Sequence, residues 1–131
     1  MRRAQLASVL LTAQLAASGS QGRQDLILKT LFDRIGTANK YFVEFGFNSP
    51  GFDVGAEGTG ANTEMLYRQG WRGLLLDGSR SNASINLHQS FIKSTNIVDT
   101  FQTHKVPIEL DYLSIDIDSA DLWVMLSLIH I

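Results

Sequence analysis

The 131-residue chain contains no cysteine. Disulfide scaffolds, thiolate metal sites and a cysteine nucleophile are therefore excluded, and thiols give no reading of the redox compartment. Excess basic charge is missing too: 11 Lys and Arg are scattered among 13 Asp and Glu, for a net charge of −2. Such a balance offers no nucleic-acid surface. There is no Walker-type loop, no Ser-His-Asp arrangement and no internal repeat. The N-terminal apolar stretch is short and interrupted by Gln and Thr, which makes it a poor membrane span. What is left fits one globular domain, at the small end for an α/β fold.

Residues 1–21 differ from the rest. Met1-Arg2-Arg3 is basic, Ala4 to Ala17 is largely apolar, and small residues run from Ala16 to Ser20. No acid precedes Asp25. A basic start, an apolar core and a small-residue cleavage region make a secretory signal peptide or short anchor. An acid-poor, Arg- and Ser-containing stretch also fits an organellar transit peptide, and an ordinary N-terminal helix is the third reading. The first reading expects the secretory route or the extracellular space, with membrane contact only through the N-terminal anchor. Asn82-Ala83-Ser84 is a glycosylation sequon that matters only on that route.

From residue 22 onward three apolar runs end on Gly or Asp. They are Tyr41-Phe-Val-Glu-Phe-Gly46, Gly73-Leu-Leu-Leu-Asp-Gly78 and Tyr112-Leu-Ser-Ile-Asp-Ile-Asp118. Runs of this kind are parallel strands that deliver polar groups to the carboxyl edge of a sheet, where open α/β folds bind ligands. The spacing predicts a helix over 24–35, with Leu26, Ile27, Leu31, Phe32 and Ile35 as one apolar stripe and Gly36 as its end. Strands follow over 40–45 and 71–77. Asn62 and Thr63 would cap a short helix between them that ends at Gly70. A third strand is read over 84–91, with Ile85, Leu87 and Phe91 on one side, and a helix is the alternative reading of this segment. Ser94-Thr95-Asn96 would cap a short helix over Ile97, Val98 and Phe101 that Pro107 breaks. A fourth strand covers 110–117, and a further helix begins at Ser119. The fold class is α/β: a parallel Rossmann-like sheet with flanking helices, incomplete at about four strands. The apolar ending Leu126-Ser-Leu-Ile-His-Ile131 reads as a truncated frame, with adapter read-through as the source of its last residues.

Several residues could carry chemistry. The glycine loop from Gly46 to Ala61 could admit a phosphate or cofactor to its backbone, or be a plain surface loop. Gly58-Thr-Gly60-Ala-Asn-Thr63 lacks the third glycine of the dinucleotide fingerprint. Asp77, at a strand end, suits the hydroxyls of a ribose or a turn. Glu44 lies among aromatics, so its carboxylate is either bonded to loop N–H groups or faces a cationic cofactor. Asp116, Asp118 and Asp121 share the D-x-D spacing of an EF-hand, but Ile117 and the missing glycine contradict one. On an extended strand Asp116 and Asp118 share a face, either as a solvated turn or gathered for catalysis or a metal. His88 and His104 lack metal-ligand spacing with these acids, and no metal is assigned. Trp71, Trp123 and the Phe residues are read as core.

Together, Lys40-Tyr-Phe-Val-Glu-Phe-Gly46, Ala61-Asn-Thr63, Gly70-Trp-Arg-Gly-Leu-Leu-Leu-Asp-Gly78, Asn96-Ile-Val98 and Asp111-Tyr-Leu-Ser-Ile-Asp-Ile-Asp118 resemble an S-adenosylmethionine-dependent methyltransferase domain of the FkbM type. The resemblance runs from Gln24 to Met125. It implies S-adenosyl-L-methionine as cofactor, with Glu44, Gly46, Asn62, Thr63 and Asp77 on the cofactor side. Asp116 and Asp118 would be catalytic, at the acceptor side. It implies an oxygen of a small-molecule or glycan acceptor as target and no nucleic-acid partner. A non-catalytic binding or assembly module on the same scaffold is the alternative. A nicotinamide enzyme is a third reading, weakened by the missing glycine.

Overall fold

The computed structural model describes residues 23–53, 59–118 and 120–129. The expected leader over 1–21, much of the glycine loop, Ser119 and the last two residues lie outside them. Helix α1 spans Gln24–Ile35, strand β1 Tyr41–Phe45, helix α2 Glu64–Arg68 and strand β2 Arg72–Asp77. A 3₁₀ turn at Ala83–Ile85 precedes strand β3, Leu87–Gln89. Helix α3 (Ile97–Thr103), strand β4 (Tyr112–Ile115) and helix α4 (Asp121–Leu128) follow.

The four strands form one parallel sheet in the order β3-β2-β1-β4. This is a Rossmann-like α/β arrangement. The chain builds outward from β1 to β3, then returns to the other side of β1 to lay down β4. That reversal places a topological switch point between β1 and β4.

Side-chain alternation along the strands divides the core between the two sheet faces. Phe42 and Leu75 join Trp71, Leu66 and Phe52 on the face covered by α1 and α2. Val43, Phe45, Leu74 and Leu76 join Ile97 and Val124 on the face covered by α3 and α4. With both faces covered, β2 has to be apolar almost throughout, as the sequence is. Gly73 is needed for this packing, because a Cβ there would stand 2.2 Å from Phe42 Cδ2 and 2.3 Å from its carbonyl oxygen.

Four expectations need correction. The apolar stripe of α1 does not face inward as a whole: Leu28 is buried and Phe32 packs on Trp71 at 4.8 Å, whereas Ile27, Leu31 and Ile35 form an exposed row. Five apolar residues cover more arc than the sheet can bury, and the core takes the Leu28–Phe32 edge. The third strand is three residues long, not eight. Asn82 accepts from Ser84 N and starts a 3₁₀ turn, and Asn86 at φ 56° prevents extension before Leu87. Phe91 leaves the sheet and is 75% exposed. Trp123 is likewise 63% exposed, since α4 turns Val124 to the core instead. The fourth strand ends at Ile115, and Asp118 stands at φ 55°, so Asp116 and Asp118 do not share a strand face.

Candidate functional site

A cavity of about 530 Å³ opens at the carboxyl edge of the sheet. Every strand contributes to its wall. Gly46 and Asn48 follow β1, Asp77 to Arg80 close β2, Ser90 to Ile92 follow β3, and Asp116 to Asp118 follow β4. Its size falls within the range of small-molecule sites. No group of three or more His, Asp or Glu that could hold a metal occurs among the described residues.

Gly46 stands at the switch point with φ 77°. Its N–H donates to the Leu76 carbonyl at 2.9 Å, which turns the chain over the end of β2. A side chain at this position would collide with Asp116, so only glycine lets the two loops meet.

Asp77 is almost fully buried. Its Oδ1 accepts from Ser79 N (2.7 Å), Ser79 Oγ (2.9 Å) and Arg80 N (3.0 Å). Its Oδ2 accepts from Asn48 N at 2.9 Å and lies 3.7 Å from the Arg80 guanidinium. Arg80 also donates to Asn48 Oδ1 at 2.7 Å. Burial pushes this carboxyl up, but the bonds from Ser79 and Asn48 and the charge of Arg80 together hold it below the usual carboxylate value. Both strand-end loops therefore close around one ionised group.

Glu44, Asn62 and Thr63 come together next to the cavity but do not line it. Glu44 Oε1 accepts from Asn62 N at 3.0 Å and Oε2 from Thr63 N at 3.1 Å, with the Thr63 hydroxyl also bonded to Oε2. Asn62 Nδ2 donates to Ser114 Oγ at 2.8 Å, tying α2 to β4. The start of α2 is thus capped by Glu44 from β1, while the side chains of Thr63 and Asn62 bond elsewhere than to the helix end. Burial of the Glu44 carboxyl dominates these bonds and raises its pKa, with a smaller push from Asp116.

Asp116 and Asp118 are exposed at the cavity. Asp121, the third acid of the cluster, accepts from Ile117 N at 2.9 Å and turns the chain into α4. The cavity thus gathers Gly46, Asp77, Asp116 and Asp118 from the sequence reading and leaves Glu44, Asn62 and Thr63 behind its wall.

Two lining residues escaped the sequence reading. Asn48 stands at φ 51°, a conformation asparagine tolerates, and its place in Phe-Asn-Ser-Pro was the available signal. Arg80 sits three residues after Asp77, a position that marks it only once the turn is known.

No family model, no curated protein and no solved structure matches this chain.

Proposed function

We propose that the chain carries the cofactor site of an S-adenosyl-L-methionine-dependent methyltransferase of the FkbM type, directed at an oxygen of a small-molecule or glycan acceptor. The observation that carries this reading is the switch-point cavity, with Asp77, Asp116 and Asp118 against the single guanidinium of Arg80. Carboxylates in excess attract a sulfonium cation and repel the pyrophosphate of a dinucleotide. The donor set therefore fits this cofactor and speaks against nicotinamide. Bound there, the cofactor supplies an electrophilic methyl group.

The chain's own residues would position the two reactants, which is most of what an in-line displacement asks of a protein. Asp77 has one Oδ2 lone pair less engaged than the rest and could accept a ribose hydroxyl through it. Gly46 leaves room at the methionine side. Glu44 acts through Asn62 and Thr63, holding the start of α2 against β1. Asp116 or Asp118, exposed at the acceptor side, would take the proton of an attacking hydroxyl.

A second reading has its own support. The Asp77 and Glu44 oxygens are largely satisfied by donors of the chain itself. That is what a non-catalytic binding or assembly module would keep of the scaffold. Calorimetric titration of the full chain with S-adenosyl-L-methionine and with NAD separates the readings. Micromolar affinity for the first alone supports the methyltransferase. Binding of neither by a folded chain leaves only the module.

A further inference from the structure

Phe91 follows β3 and lines the cavity, yet it is 75% exposed. A single exposed phenylalanine is ordinary on a protein surface. This one differs because its backbone is fixed on both sides. Ser90 N donates to the Asp77 carbonyl at 2.8 Å, which ties the chain just before Phe91 to the end of β2. Just after it, Ile92 is buried in the core with Leu76 and Ile97. Asn96 stands at the N-cap of α3 but makes no side-chain bond to the helix. Its carboxamide turns back instead: Nδ2 donates to the Phe91 carbonyl at 2.9 Å, and Oδ1 accepts from Lys93 N at 2.8 Å. Lys93 Nζ lies over the Phe91 ring, 5.7 Å from its centre, and Lys93 is not part of the cavity wall. An ordered backbone thus presents an apolar ring to the cavity.

The strand order decides what that ring can meet. β3 lies beside β2, whereas β4 lies two strands from β2 on the other side, with neighbouring strands about 4.8 Å apart. A ribose held by Asp77 therefore has Phe91 one strand away on one side. On the other side it has Gly46, then Asp116 and Asp118. The two exposed carboxylates attract the cationic end of a ligand, which leaves its flat, uncharged ring for the β3 side. We infer that Phe91 is the platform on which the purine ring of the cofactor stacks, so that the ring is gripped by its face. This rests on the reading of Asp77 as the ribose ligand. Stacking gains from the apolar area of both rings and from their offset quadrupoles. A segment already fixed by Asn96 and Ile92 loses little freedom when the ring is covered.

The test is calorimetric titration of the full chain with S-adenosyl-L-methionine and with adenosine, which keeps the ring and the ribose and lacks the sulfonium. Phe91→Leu should weaken both by about tenfold or more, with an unchanged circular-dichroism spectrum. Phe91→Trp should bind both within about threefold of the parent, because a larger aromatic face takes the place of the first. Its added indole fluorescence should fall with adenosine, beyond any change in the parent. If Phe91→Leu binds both ligands as the parent does, the platform is overturned and the methyltransferase reading is untouched. If the parent binds adenosine alone and Phe91→Leu loses it, the platform stands and the methyltransferase reading falls. Binding of neither by the folded parent overturns both.

Discussion

The Cα of Gly46 stands so close to the Asp116 carbonyl that a Cβ there would sit 2.0 Å from its oxygen. These two residues end the strands on either side of the switch point, so their contact sets the width of the crevice. Gly46→Ala must relieve the collision and also place a side chain at φ 77°. We expect a loss of about 2–4 kcal/mol, the left-handed penalty plus backbone displacement. Urea unfolding measures it. A variant as stable as the parent would show that the two loops do not meet.

Glu44 gives the protein an unusual pH response. Its folded pKa is raised, chiefly by burial, so the native state holds its proton more tightly than the unfolded chain does. Stability from this group is full below the unfolded pKa and is lost as pH rises through the folded value. Glu44→Gln should abolish this decline. It should also cost about 1–3 kcal/mol, because an amide cannot accept from both Asn62 and Thr63. Unfolding series from pH 4 upward, on both proteins, provide the check: parallel curves would remove Glu44 as the source.

Asp77 acts with the opposite sign. Its folded pKa is depressed, so its contribution is present above the unfolded pKa and fades as pH falls through the folded one. Asp77→Ala frees the loops of Asn48 and Arg80 together. On the methyltransferase reading it should weaken S-adenosyl-L-methionine by about 1.5–3 kcal/mol, the range for hydrogen bonds to a charged group. Calorimetry on a variant with an intact fold decides this, and unchanged affinity takes Asp77 out of the site.

The sheet was readable because β1 and β2 announce themselves: apolar runs that stop at Gly46 and Asp77 have few other meanings. Most of the failures depend on contacts distant in sequence, though the third strand is cut short by the local turn from Asn82 to Asn86. In α4, Leu122, Trp123, Val124 and Met125 are all apolar, and nothing local says that Val124 alone turns inward. Asp111 was passed over, yet its carboxylate accepts from the N–H groups of Ala38, Asn39 and Lys40 and fixes the entry to β1. Glu64, in the first turn of α2, is buried and bonded to Thr59 and Arg68. His88 and His104 meet only because α3 ends over β3. In the cavity, strand-end acids were legible, whereas Asn48 and Arg80 required the turn geometry that joins them.

The two rims of the sheet are protected unequally. On β3, Leu87 exchanges both backbone bonds with Asn82, and Gln89 N donates to Ser81 Oγ at 2.9 Å. That edge is therefore blunted. On the other rim, no strand pairs with the far side of β4 among the described residues, and Tyr112, Leu113 and Ile115 are only half-buried. An unprotected edge with apolar side chains is a template for strand addition. We predict that the chain self-associates through β4. Size-exclusion chromatography with light scattering should show growth in mass with concentration, up to roughly 100 µM. Hydrogen exchange should slow at residues 112–115 in the associated form, while those of β3 keep their rate. A monomer across that range, or protection that falls on β3 instead, would mean that the β4 edge is not the adhesive one.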